Sequence, residues 1–189
     1  NGMRVKKKVY ASGQLTETVI FVYSGGKLVA EYSTKTPPQE KKIKYLTEDH
    51  LGTPRIITDG LGQVISRRDM MPFGEDLVAN IGARSSAMKY GSTDDDVRQK
   101  FTGYQKDEET GLDFAEARMY ENRHARFTAV DPLLASGNSS NPQTFNRFVY
   151  VGNSPLVMTD PSGLIGDYYD RRTGEYLGHD NKDDGLVYF

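Results

Sequence analysis

A degenerate unit recurs along the chain: an aromatic or aliphatic stretch, a glycine-containing turn, then a second extended stretch. It reads in Tyr10-Ala11-Ser12-Gly13-Gln14, Tyr23-Ser24-Gly25-Gly26-Lys27, Asp59-Gly60-Leu61-Gly62-Gln63 and Tyr169-Asp170-Arg171-Arg172-Thr173-Gly174. A unit this short leaves an apolar face uncovered, so it must stack on neighbours of its own kind. The expectation is a mainly all-β chain built of short hairpins, with short helices at most. Val19 to Tyr23 and Lys27 to Tyr32 flank a glycine turn, and Arg55 to Thr58 and Gln63 to Ser66 flank a second. Ile43 to Leu46 reads as a short strand. Thr34 to Lys42, with Pro37-Pro38, reads as an exposed connection, Asn80 to Arg98 as an exposed polar loop, and Ala135 to Asn141 as a loop. Leu112 and Phe114 alternate with Asp113 in strand fashion. Ala115 to Tyr120 fits a strand or a helical turn equally well. Phe145 to Val151 reads as an aromatic strand, or as a short helix joined to one.

Composition agrees and excludes several classes. Twelve Tyr, eight Phe and no Trp suit half-buried strands, where a ring packs while its hydroxyl reaches a partner. A formal net charge of −2 gives no global field for nucleic acid or a membrane surface. Lys6-Lys7-Lys8, and Lys41-Lys42 with Lys44, read as solvated strand edges that blunt edge-to-edge pairing. The absence of Cys excludes a disulfide framework, a thiol nucleophile and a thiolate metal site. No stretch approaches the roughly 20 apolar residues of a membrane-spanning helix. The chain opens at Asn1-Gly2, as if inside a turn, and closes on the strand-like Leu186 to Phe189, so a fragment of a longer protein is expected.

Ordered motifs carry a resemblance. Tyr45-Leu46-Thr47-Glu48-Asp49-His50-Leu51-Gly52-Thr53-Pro54-Arg55 is followed by Pro72-Phe73-Gly74-Glu75 and Phe101-Thr102-Gly103-Tyr104. The densest block runs from Glu109-Thr110-Gly111-Leu112 through Ala117-Arg118-Met119-Tyr120 and Arg126-Phe127 to Val130-Asp131-Pro132-Leu133. Asn153-Ser154-Pro155 and Asp160-Pro161-Ser162-Gly163-Leu164 close it. Over residues 1 to 164 the sequence resembles the RHS-repeat-associated core domain of bacterial RHS and YD-repeat proteins. Three positions depart from the usual pattern: Ala125 stands where Gly is common, Met119-Tyr120 where Tyr-Tyr is, and Met70-Met71 where an aromatic is.

The resemblance implies a β-hairpin ribbon spiralling into a shell around a C-terminal polypeptide, plugged by the core region. It implies a division into YD-repeat-like hairpins (1–100), RHS-associated core (101–164) and the start of a variable pre-toxin segment (165–189). It implies self-cleavage, since many family members cut themselves after the Leu of Asp-Pro-x-Gly-Leu, here between Leu164 and Ile165, with Gly163 before them. The implied partners are the chain's own C-terminal effector, an immunity protein and secretion machinery. The implied setting is a bacterial secreted or cell-surface protein, and no cofactor is called for.

Peptide hydrolysis by two carboxylates needs one ionised and one protonated, a state that close like charges favour. Asp131 and Asp160 stand in the two Asp-Pro contexts and are the candidate pair. They share a site only if the chain between them folds back. Pro132 and Pro161 stiffen each turn, Gly163 allows a tight one, and Arg126 or Arg147 could orient a carboxylate. A turn-forming role for Asp160, with Asp113 as the second acid, stays open, because Asp before Pro commonly caps its own turn. His50, His124 and His179 are scattered without ligand spacing, so no metal is expected. Asp180, Asp183 and Asp184 with Gly185 fail the calcium-loop spacing. No Walker, dinucleotide or nucleophile-elbow motif occurs. A second, non-enzymatic reading is a secreted or cell-surface β-repeat module for adhesion or carbohydrate contact, its Tyr residues lining an exposed face.

Overall fold

A computed structural model describes residues 2–35, 43–93, 95–132, 142–164, 167–169 and 176–179, with the backbone alone at 143–144 and in the last two segments. All regular structure there is β-strand or single 3-10 turns, so the chain is all-β. It divides into two compact units, Asn1–Lys42 and Ile43–Phe189.

The first unit is an antiparallel meander of β1 (Lys6–Ala11), β2 (Gln14–Ser24) and β3 (Lys27–Ser33). Ser12-Gly13 and Gly25-Gly26 are its two-residue loops, with positive φ at all four positions. That mirror-image turn matches the strands' own twist, which is why glycine recurs there. Glu17, Val19 and Phe21 form a buried face of β2, while Ile20, Val22 and Tyr32 are exposed on the other. Lys6 and Lys8 are exposed on β1, an edge of this sheet, as expected of edge lysines.

Among the described residues the second unit holds three small antiparallel sheets. The first is β4 (Tyr45–Glu48), β5 (Pro54–Thr58) and β6 (Val64–Arg67). The next has the order β10-β9-β8-β7, from β7 (Gln105–Asp107), β8 (Leu112–Ala115), β9 (Arg118–Glu121) and β10 (Arg126–Phe127). The last is β11 (Met158–Thr159), β12 (Asp167–Tyr169) and β13 (Tyr176–His179). Ala115 to Tyr120 is thus a tight strand turn, and the region from Phe145 to Val151 contributes only a bridge, Arg126 to Val149, between 3-10 turns.

Aromatic rings make the core: Phe101, Tyr104, Tyr120, Phe127 and Tyr150 cluster with Ala115. Tyr120 lies 5.7 Å from Phe101 and 4.8 Å from Tyr150, centroid to centroid. Two of these tyrosines place their hydroxyls on backbone carbonyls, Tyr120 donating to Phe73 at 2.8 Å and Tyr104 to Asp160. Alternation on β8 holds, but the fully buried residues are Asp113 and Ala115, with Leu112 and Phe114 only half-buried. Asp113 lies inward because its cross-strand neighbours there are Tyr120 and Lys106.

The segment Asn80 to Arg98, expected as an exposed polar loop, is exposed or half-buried at every described position, and it is anchored at Asp95. Asp95 receives the Arg68 Nε at 2.6 Å, a second guanidinium nitrogen of Arg68, and the Ser66 hydroxyl at 2.8 Å. Arg68 also donates to the carbonyls of Val97 and Gln99. Burial alone would raise the Asp95 pKa; Arg68, Lys100 and Ser66 overcome it and hold the carboxyl below its ordinary value. Asp95→Ala strands a buried guanidinium, and the expected loss is about 3–5 kcal/mol. Thermal unfolding of the full-length protein measures it; a change below about 1 kcal/mol, the value of a surface pair, contradicts the anchoring role.

Candidate functional site

The β8–β9 hairpin turns through Glu116 and Ala117, with Glu116 at φ +52. Arg118 is the first residue of β9, and alternation from buried Tyr120 sends its side chain inward. The guanidinium is nearly fully buried and lies 3.6 Å above the Phe127 ring. Its Nε donates to the Gly163 carbonyl at 2.5 Å and its Nη1 to the Arg147 carbonyl at 3.1 Å. Nη2 stands 3.3 Å from Asp160 Oδ2 and 3.5 Å from Asp131 Oδ2.

The two candidate acids are therefore brought to a single nitrogen, both buried. The link between them in the structure is the shared Arg118 guanidinium. Burial pulls the Arg118 pKa down, against the pull of Asp131 and Asp160 in the other direction. Arg126, one expected orienting residue, is exposed on β10. Arg147, the other, donates to the Asp131 backbone carbonyl, and the Asp131 amide donates to the Arg147 carbonyl at 3.1 Å. Sequence reasoning missed Arg118 as an orienting group. Its signal was an arginine two positions before the buried Tyr120, on the same strand face.

The Asp160-Pro161-Ser162-Gly163-Leu164 segment is a closed turn. The Leu164 amide donates to Asp160 Oδ1 at 2.9 Å, and Gly163 has φ +69. The same construction recurs at Asp49, where Thr53 donates to Oδ1 at 3.0 Å, and at Asp59, where Gln63 donates at 2.9 Å; Gly52 and Gly62 both take φ +78. The turn-forming part of Asp160 is thus a device that occurs three times among the described residues. Its burial and its place beside Arg118 set it apart. The turn docks on the β8–β9 hairpin: Ala117 donates to the Ser162 carbonyl at 3.0 Å, and the Tyr104 hydroxyl donates to the Asp160 carbonyl. A Cβ on Gly163 would lie 2.3 Å from the Ala115 carbonyl oxygen. Ile165 lies outside the described residues, as do Asp180, Asp183, Asp184 and Gly185.

Asp113 also lies on the inward face of β8, but it answers to other groups. Lys106 Nζ and Asn122 Nδ2 are each 3.5 Å from its Oδ2. Burial raises its pKa to about 6, with Lys106 opposing. A carboxyl whose folded pKa is raised binds a proton in the native state that the unfolded chain has lost. Stability therefore falls as pH rises from near 4 to near 6, by on the order of 2–3 kcal/mol, and is level above that. Asp113→Asn is expected to flatten this slope in thermal unfolding of the full-length protein between pH 4 and 7. An unchanged slope contradicts the assignment.

The histidines do not assemble. His50 Nε2 lies 3.1 Å from the Leu156 carbonyl, and His124, largely exposed, pairs with Glu121 at 3.0 Å. His179 is on β13. Among the described residues no group of three His, Cys, Asp or Glu is placed to hold a metal, and no helix is long and apolar enough to cross a membrane.

No family model matches the chain. It is 28% identical to the probable deoxyribonuclease RhsA of Dickeya dadantii, over 82% of this chain and 10% of that protein. It is 32% identical to salivary gland surface protein 1 of Aedes aegypti, over 62% of this chain and 3% of that protein. The crystal structure of TcdB2-TccC3 without its hypervariable C-terminal region matches 81% of this chain at a TM-score of 0.54 and 23% identity, using 7% of that chain. The chain thus spans a small part of the proteins it matches.

Proposed function

The chain is an RHS-associated segment of the polymorphic-toxin type, its relatives being RHS and Tc toxin proteins, and from that premise we propose that it closes a β-shell around a C-terminal effector and cuts the chain after Leu164. The observation that carries the proposal is the buried Asp131–Arg118–Asp160 cluster holding the Asp160 to Leu164 turn. Asp131 is the base: it takes a proton from water as the hydroxide oxygen attacks the Leu164 carbonyl carbon. The Leu164–Ile165 bond then breaks and the Asp131 proton passes to the leaving nitrogen, which regenerates the carboxylate. Asp160 fixes the Leu164 amide, and Arg118 supplies positive charge beside the developing oxyanion. The effector, an immunity protein, the secretion route and a secreted or cell-surface setting belong to this reading of the whole protein.

Expression of the full-length protein beside Asp131→Asn and Asp160→Asn tests it. Wild type is expected as two pieces that co-elute, with the C-terminal piece spared by added protease because the shell excludes the protease. Asp131→Asn is expected as one chain. Asp160→Asn keeps an oxygen for the Leu164 amide, and slower cutting is expected. Wild type remaining whole, or a C-terminal piece digested at once, contradicts the cutting and the containment respectively. The second reading, an uncut surface module, is favoured by the Aedes aegypti surface-protein relative; an uncut wild type with a protease-accessible tail supports it.

A further inference from the structure

The bond cut in this reading lies in the loop of a hairpin whose arms, β11 and β12, are paired. Met158 is opposite Tyr168 and Thr159 opposite Asp167, antiparallel. The two other Asp-x-x-Gly turns, at Asp49 and Asp59, return directly to their ladders: Glu48 is opposite Pro54, and Thr58 opposite Val64. Here the same turn closes at Leu164, and pairing resumes at Asp167. Leu164–Ile165 is therefore the first peptide bond beyond the closed turn. Met158 and Thr159, the fixed arm, are each 3% exposed, and β13 backs β12 on its other side, with His179 opposite Asp167 and Gly178 opposite Tyr168.

We propose that β11 is a docking strand for the cut product, so that after cleavage the C-terminal piece stays seated by β12 as a strand added to β11. The proposal rests on the self-cleavage reading above and adds a separate step, removal of a strand, between cutting and release. Recognition by main-chain pairing asks little of side-chain identity, which suits a docking strand whose downstream sequence varies.

The test uses the full-length protein with Met158→Cys and Tyr168→Cys; these 189 residues contain no cysteine, and any cysteine outside them is first replaced by Ser. Directly opposed residues are about 4.5–5.5 Å apart between Cα atoms, within disulfide reach. Processed protein, mildly oxidised, is expected to run as one species without reductant and as two with it. Met158→Cys with Gly178→Cys is the control: two strands away is about 10 Å, beyond reach. Pieces that separate without reductant, or that link equally in the control, overturn the proposal. One chain under reduction shows that no cut occurred, which overturns the self-cleavage reading and this proposal with it. Hydrogen exchange on processed wild type needs no substitution. Amides of residues 167–169 are expected to exchange at least about tenfold more slowly than in the denatured piece. Exchange at the denatured rate overturns the docking.

Discussion

Arg118→Met is expected to abolish self-processing and to lower stability by about 3–5 kcal/mol, because it leaves the buried Asp131 and Asp160 carboxylates without their shared cation. The two losses have separate causes, and a second variant separates them. Adding Asp131→Asn and Asp160→Asn to Arg118→Met removes the uncompensated charges, so most of the lost stability is expected to return while cutting stays absent. Arg118→Lys keeps one charge but cannot span Gly163, Arg147 and both acids, and it too is expected to cut poorly. Thermal unfolding and the ratio of cut to uncut chain measure the two effects. Full processing in Arg118→Met would remove the guanidinium from the account. Equal instability in the single and triple variants would mean that ring contact with Phe127 outweighs the charges.

Gly163→Ala is expected to cost about 1–3 kcal/mol and to slow cutting at least tenfold. Two effects combine: φ of +69 disfavours a side chain, and the new Cβ would collide with the Ala115 carbonyl oxygen at 2.3 Å. Relief requires the turn to lift from the β8–β9 hairpin, which carries the Leu164 amide and the scissile bond away from Arg118. Gly62→Ala is the matched control. Gly62 has φ +78 in the same kind of turn, but a Cβ there meets nothing within 4 Å. It is expected to show the backbone cost alone, about 1–2 kcal/mol, with cutting unchanged. Comparable loss of cutting in both variants would show that docking of the turn is irrelevant.

Turn chemistry made much of this architecture legible. Gly25-Gly26 and the Asp59 to Gly62 loop were readable as hairpins because positive φ at fixed positions asks for glycine. Asp131 and Asp160 were readable as a pair from their Asp-Pro context. Their mutual position was not, since it depends on Arg118 and on the path of the chain between them. Asp113 and Asp95 show the general difficulty. Both look solvated in a one-residue view, yet Asp113 is buried and Asp95 half-buried, meeting Lys106 across the paired strand and Arg68 27 residues away. Hydrophobic periodicity carries no record of such pairings. Ala115 to Tyr120 was ambiguous because a two-residue strand turn and one helical turn place similar residues at similar spacings.

The most direct test of the central claim is the intact mass of the full-length protein after native purification, beside Asp131→Asn. Two wild-type masses that divide the chain between Leu164 and Ile165 are expected, and a single undivided mass for Asp131→Asn. An undivided wild type, or a division at another bond that survives the Asp131 substitution, would contradict the claim.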